Sequence, residues 1–143
     1  MACPMCTERL FSKSFRRIGD MLSEKEKPGI LGEVCAARML REKGYTIYTA
    51  NYRCRFGEID IIAANDKYIT FTEVKTRSPG AISTAREAVD RRKQEKIIKT
   101  AQLYLQSNPV ELQPRFDVVE VYIDKEQRVE KINHIENAFD GGK

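Results

Sequence analysis

Apolar residues recur along the chain in two periods, and the switches between them mark out the elements. Between residues 29 and 43, Leu31, Val34, Cys35, Met39 and Leu40 fall at helical spacing, with Pro28 suited to the start and Gly44 to the end. This predicts a first core helix. Thr46 to Tyr52, Glu58 to Ala64 and Tyr68 to Thr76 are rich in β-branched and aromatic residues and predict three strands. The second and third carry apolar residues on both faces, as strands covered on both sides do. Alternation sets Ile59 and Ile61 on one face and Glu58, Asp60 and Ile62 on the other. In the next strand Ile69, Phe71, Glu73 and Lys75 share a face. Ser78 to Thr84, with Pro79-Gly80, reads as a loop. Residues 85 to 106 predict a longer helix with Val89, Ile97, Ala101, Tyr104 and Leu105 as its apolar stripe. Pro109 and Pro114 bracket a connection, and Phe116 to Ile123 and Arg128 to Ile135 predict two last strands around a turn at Asp124 to Gln127.

A helix, three strands, a helix and two strands predict an α/β sandwich with a mixed sheet. Upstream, Phe11, Phe15, Ile18 and Leu22 lie on one face of a short basic helix, and Ser23 to Lys27 is a charged linker. The expected division is an N-terminal extension over 1–27, partly helical or mobile, a domain over 28–137 and a tail over 138–143.

The 143 residues, 41% of them hydrophobic, suffice for one ordinary domain with a core. No window approaches the roughly 18 consecutive apolar residues of a membrane span. Arg9, Lys13, Arg16 and Arg17 are not followed by a signal-type apolar stretch, so a cytoplasmic location is expected. A net charge of +4 permits a polyanionic partner without demanding one. Of the four cysteines, Cys3 and Cys6 form half a zinc knuckle with no second pair, Cys35 reads as a small core residue, and the pattern with Cys54 suits a reducing compartment. His134 is the only histidine, which excludes multi-histidine metal sites and zinc deaminase sites; it reads as structural or surface. There is no GxxxxGK[ST] loop and no GxGxxG fingerprint.

The chemistry concentrates between Gly57 and Arg77. Asp60 and Glu73, on neighbouring strands among apolar residues, would repel each other in a low dielectric. A divalent cation removes that penalty, and an all-oxygen site suits Mg²⁺ or Mn²⁺. Lys75 adds a compact positive charge that could orient water or stabilise a phosphorane, and the cation makes hydroxide available near neutrality. Together these fit phosphodiester hydrolysis. An ordinary cross-strand ion pair accounts for the same three residues equally well from alternation alone. Glu33, in the first two turns of its helix, needs no more than the helix dipole to explain it. Arg53 and Arg55, beside Tyr52 and Phe56, suit either phosphate contact with base stacking or a solvated hairpin. Arg86, Arg91, Arg92, Lys93, Lys96 and Lys99 make the first half of the second helix either a solvated face or a nucleic-acid surface.

Asp60 followed by Glu73-Val74-Lys75 resembles the motif of the PD-(D/E)XK nuclease superfamily, with Ile59 in place of proline. A longer pattern runs through Gly29-Ile-Leu-Gly32-Glu33, Ala36-Ala37, Gly44-Tyr45, Asn51-Tyr52-Arg53, Gly57-Glu58-Ile59-Asp60 and Glu73-Val74-Lys75-Thr76-Arg77. It resembles the YraN-like family of bacterial proteins, itself similar to archaeal Holliday junction resolvases. The resemblance covers about residues 28 to 135 and implies a restriction-endonuclease-like α/β sandwich, a central mixed sheet flanked by helices. It implies a Mg²⁺- or Mn²⁺-dependent DNA endonuclease acting on branched or junction DNA. Asp60, Glu73 and the Val74 carbonyl would be metal ligands, Lys75 would position the nucleophilic water, and Glu33 would complete the site directly or through water. Glu58 would support them. Arg53, Arg55, Arg77, Arg92 and Lys93 would contact substrate, and a homodimer would place two sites on one branched DNA. The alternative on the same fold is a catalytically silent DNA-binding or scaffold protein.

Overall fold

The computed structural model describes residues 28–81 and 89–141. Its elements are α1 (Pro28–Glu42), β1 (Thr46–Cys54), β2 (Gly57–Ala64), β3 (Tyr68–Arg77), α2 (Arg91–Ser107), β4 (Gln113–Ile123) and β5 (Val129–Phe139). The strands form one sheet in the order β1-β2-β3-β4-β5, antiparallel except for the parallel β3/β4 pair at its centre. A parallel neighbour needs a long crossover, and α2 lies within the one between β3 and β4. The expected α/β sandwich with a mixed sheet is the observed fold.

The two helices cover opposite faces. Ala36, Ala37 and Leu40 of α1 pack with Ile47, Ile61, Ala63, Val119 and Val121. Ile97, Ala101 and Tyr104 of α2 pack with Ile59, Ile62, Ile69, Phe71, Phe116 and Val118. Alternating side chains on β3 and β4 feed both cores, which is why these central strands are apolar on both faces. Gly32 lets α1 lie close on the end of β3: a Cβ there would stand 2.5 Å from Thr76 Oγ1.

Four expectations change. The helix expected over 85–106 begins only at Arg91, because Asp90 caps it by accepting from Lys93 N–H; residues 85–88 lie outside the described residues. Pro114 is inside β4 rather than in a connection. Gln113 N–H turns to Lys67 on the β3 side, so the position of Pro114 faces the other side, where pairing with β5 starts only at Phe116. The last strand runs to Phe139 rather than ending at Ile135. Finally, Ile59 and Ile62 share a core and Ile61 belongs to the other, so strict alternation fails at Asp60. The helix expected over 7–22 and the Cys3/Cys6 pair lie outside the described residues.

Candidate functional site

The break in alternation builds the site. β2 pairs with β3 only from Ile61↔Thr72 to Ala64↔Ile69; beyond that β3 runs on beside β4 alone. The strands therefore part at Asp60 and Glu73. Across β2, Asn51 of β1 stands opposite Asp60 between the pairs Ala50↔Ile61 and Tyr52↔Ile59, and its φ is 54°. Asparagine tolerates this left-handed conformation better than most residues. The β1/β2 pair thus buckles at Asn51 and Asp60.

At the fork, Asp60 Oδ2 accepts from Val74 N–H at 2.8 Å. In an extended strand a residue's carbonyl lies on the same side as its N–H, so the Val74 carbonyl faces the same gap. Glu73 is only 5% exposed, and its Oε1 lies 2.8 Å from Lys93 Nζ and 3.6 Å from Lys75 Nζ. Glu33 reaches in from α1, its Oε2 accepting from Asn51 Nδ2 at 3.3 Å. Burial pushes the Asp60 carboxyl up to about 7; the charges of Glu73 and Glu33 push the same way, against the Val74 hydrogen bond and Lys93. Burial also raises Glu33, opposed by Asn51 and reinforced by Glu58 and Glu73. Burial alone would lower the Lys93 ammonium, but its hydrogen bond to Glu73 and the charges of Glu73, Asp60 and Glu58 leave it raised.

These electrostatics test whether a hard cation suits the site. Three carboxylates and a backbone carbonyl are the donor set Mg²⁺ and Mn²⁺ take, and the mutual repulsion of the acids is what such an ion relieves. Among the described residues no three His, Cys, Asp or Glu side chains stand together as a ready-made metal cluster. Glu73 is instead paired with two lysines.

The expected substrate residues fall into three settings. At the β1–β2 hairpin, Arg53 near the end of β1 has its Nε 3.3 Å from Glu58 Oε2, and Arg55 in the turn has its guanidinium 4.8 Å from the centre of the exposed Phe56 ring. Cys54 Sγ meets Thr100 Oγ1 at 3.7 Å, which sets this turn against α2. The exposed Arg91, Arg92, Lys96 and Lys99 of α2 thus continue the basic surface. Lys93 points to Glu73. Arg77 turns onto β4, its buried Nε 3.6 Å from Glu120 Oε2, too far to hydrogen-bond.

Glu120, 2% exposed and opposite Lys75 in the β3/β4 register, escaped sequence reasoning, and Asn51 entered it only within the family pattern, with no role assigned. An asparagine inside a strand pattern was the available signal for Asn51; nothing local marks Glu120. A second buried charge cluster was also hidden. Asp117, 0% exposed, accepts from Arg115 Nε and Nη2 at 2.8 Å each, from His134 Nε2 at 2.8 Å and from Asn137 N–H at 3.0 Å. Arg115 Nη2 also donates to Tyr45 Oη at 2.5 Å, and Lys43 Nζ to His134 Nδ1 at 2.8 Å. His134 is structural.

Comparison with known proteins agrees with the YraN-like resemblance. Residues 32–121 match the model of UPF0102, described as an uncharacterised protein family. A UPF0102 protein of Caldanaerobacter subterraneus subsp. tengcongensis is 49% identical over 117 residues, covering 80% of this chain and 96% of its own. One of Alkaliphilus oremlandii is 49% identical over 117 residues, covering 80% and 98%. One of Moorella thermoacetica is 42% identical over 120 residues, covering 83% and 100%. No helix among the described residues is long and apolar enough to cross a membrane.

Proposed function

The chain belongs to the UPF0102 family, and we propose that it is a Mg²⁺- or Mn²⁺-dependent endonuclease of the PD-(D/E)XK type, hydrolysing phosphodiester bonds in branched or junction DNA. One observation carries the reading. Asp60 is docked on Val74 N–H beside the Glu73–Lys75 pair, with its carboxyl pushed up to about 7 where β2 and β3 part. Paired carboxylates under mutual repulsion, next to a lysine, are matched to a cation and a phosphate.

Asp60, Glu73 and the Val74 carbonyl would hold the ion, with Glu33 completing the set directly or through water. The bound ion would neutralise charge on the phosphate and acidify water. Lys75 would orient the attacking water and stabilise the charge that develops on the phosphate oxygens. Asn51 holds Glu33 toward the fork. Arg53 and Arg55 of the β1–β2 hairpin and Arg91, Arg92 and Lys96 on α2 would track the DNA backbone on either side. A homodimer would set two such sites on the arms of one junction.

The second reading is a DNA-binding protein without turnover. The pairing of Glu73 with Lys93 and Lys75 favours it, because that carboxylate is neutralised without a metal. Cleavage separates the two. Fork, flap, four-way junction and linear DNA are incubated with Mg²⁺ or Mn²⁺ and wild type, Asp60→Ala or Lys75→Ala. Both variants should lose activity by about a hundredfold or more while retaining salt-dependent binding. Equal cutting by all three would trace the activity to a contaminant. Binding with no cutting by wild type would establish the second reading.

A further inference from the structure

Lys93 occupies an unusual place for a residue of a basic helix. The other described cations of its turn, Arg91, Arg92 and Lys96, are exposed, whereas Lys93 folds inward to the carboxylate of Glu73. Its backbone is fixed: Lys93 N–H donates to the Asp90 cap at 2.9 Å, and Gln94 Nε2 ties the same turn to Val89 O at 2.9 Å. Its four-carbon stem is not fixed in that way, and its side chain is 38% exposed. Glu73 Oε1 thus carries two ammonium groups, Lys75 at 3.6 Å and Lys93 at 2.8 Å, and the shorter contact comes from outside the sheet. Lys75 starts from the same strand as Glu73, whereas Lys93 reaches it across from the helix and is the more exposed of the two, 38% against 29%.

We propose that Lys93 is an exchangeable counter-ion: it holds Glu73 in the metal-free protein, competes with the divalent cation for that carboxylate, and passes to the DNA phosphate when the cation takes its place. This rests on the metal-dependent reading of the site and adds a residue to it. The ammonium sits on an oxygen the cation needs, so the ion must displace a charge-assisted hydrogen bond before it binds. Once released, Lys93 remains anchored through Asp90 at the mouth of the fork, among the cations that flank it. The arrangement keeps a buried acid paired in the absence of metal and supplies a positive charge to the phosphate in its presence.

The test is calorimetric titration of Mn²⁺ into the full-length protein without DNA, comparing wild type, Lys93→Met and Lys96→Met. Lys96→Met removes the same charge from the same helix. Lys93→Met should bind Mn²⁺ about tenfold tighter than wild type, the scale of one charge-assisted hydrogen bond, and Lys96→Met should stay within about twofold. Lys93→Met should also melt lower than wild type in chelator and recover with Mn²⁺. Affinity in Lys93→Met no tighter than wild type, with wild type binding, would overturn the exchange while sparing the metal site. Equal tightening by Lys96→Met would reduce it to net charge and overturn it too. No binding by any of the three would remove the metal reading itself. If Lys93→Met does not fold, Lys93→Gln takes its place with the same expectations.

Discussion

Asp117 and Asp60 are acids on the same sheet with opposite fates. Asp117 lies at the first half of β4 on the face covered by α1, and Asp60 lies where β2 and β3 part. Asp117 meets four donor atoms, from Arg115, His134 and the backbone of Asn137. Burial pushes its carboxyl up, but the hydrogen bonds from His134, Arg115 and Asn137 outweigh it and hold the group below the usual carboxylate range. Asp60 is held by Val74 N–H and faces Glu73 and Glu33, and it is pushed up to about 7. Burial acts in the same direction on both acids; the supply of donors decides the outcome. A fully supplied acid is part of the scaffold. An under-supplied acid beside two others is stable only with something added, and a proton or a cation will serve.

That contrast breaks most visibly at Arg115. Arg115→Ala leaves Asp117 buried without its guanidinium and should lower the urea unfolding free energy by about 3–5 kcal/mol. Glu73→Gln in metal-free protein should change it by no more than about 1 kcal/mol, since Lys75 and Lys93 can turn to solvent. A loss at Glu73 as large as at Arg115 would make both clusters structural.

The two acids should also respond to pH with opposite sign. Asp60 has a folded pKa near 7, above the roughly 3.9 of an unfolded aspartate, so the native state holds a proton that the unfolded chain releases. Its share of stability is present below about pH 4 and is lost as pH rises through 7. Asp117, lowered in the fold, contributes fully above about pH 4 and loses its share as pH falls further. Asp60→Asn removes the first dependence. In chelator, the variant should gain on the order of 2 kcal/mol relative to wild type between pH 4 and pH 8. Parallel curves for the two proteins would mean that Asp60 is not strained by its neighbours.

The fold was largely legible because both periods are strong: the helix and strand types followed from spacing, and the mixed sheet from their order. What escaped were events of register and contact. Pro114 reads as a breaker, yet it sits in β4 where the neighbouring strand has not begun. The break in alternation at Asp60 lies opposite Asn51, a pairing that exists only once β1 and β2 are aligned. The Glu33, Asp60, Glu73 and Lys75 set was marked by the family pattern; burial and shared charge then gave the three acids a common electrostatic setting. Lys93 read as one more cation of a basic helix, because its partner is twenty residues away on β3. The Arg115, Asp117, His134 and Tyr45 cluster joins three segments, β4, β5 and the residue before β1, and has no local signature.

A milder variant sharpens the comparison at the fork. Gly32 precedes Glu33 and presses α1 onto β3, where a Cβ would meet Thr76 Oγ1 at 2.5 Å. Gly32→Ala should therefore cost about 1 kcal/mol through overpacking, and it should weaken Mn²⁺ binding by moving Glu33 away from the fork. Unchanged Mn²⁺ affinity in a folded Gly32→Ala protein would take Glu33 out of the ligand set.

The smallest effect is expected at the outer end of the Asp117 cluster. Lys43 is exposed and donates to His134 Nδ1, which leaves His134 Nε2–H to donate to Asp117. Lys43→Ala removes a contact that water can replace, so the unfolding free energy should fall by less than about 0.5 kcal/mol. His134→Ala, one step further in, takes a donor from an acid with no exposed surface and should cost about 1–3 kcal/mol. The gradient from Lys43 through His134 to Arg115 is what a closed, internally supplied network requires, because each step inward leaves a more deeply buried charge without water to replace the lost partner. A Lys43→Ala loss matching that of His134→Ala would mean that the network needs its surface lysine, and the scaffold acid would then be as dependent on an outer cation as the site at the fork.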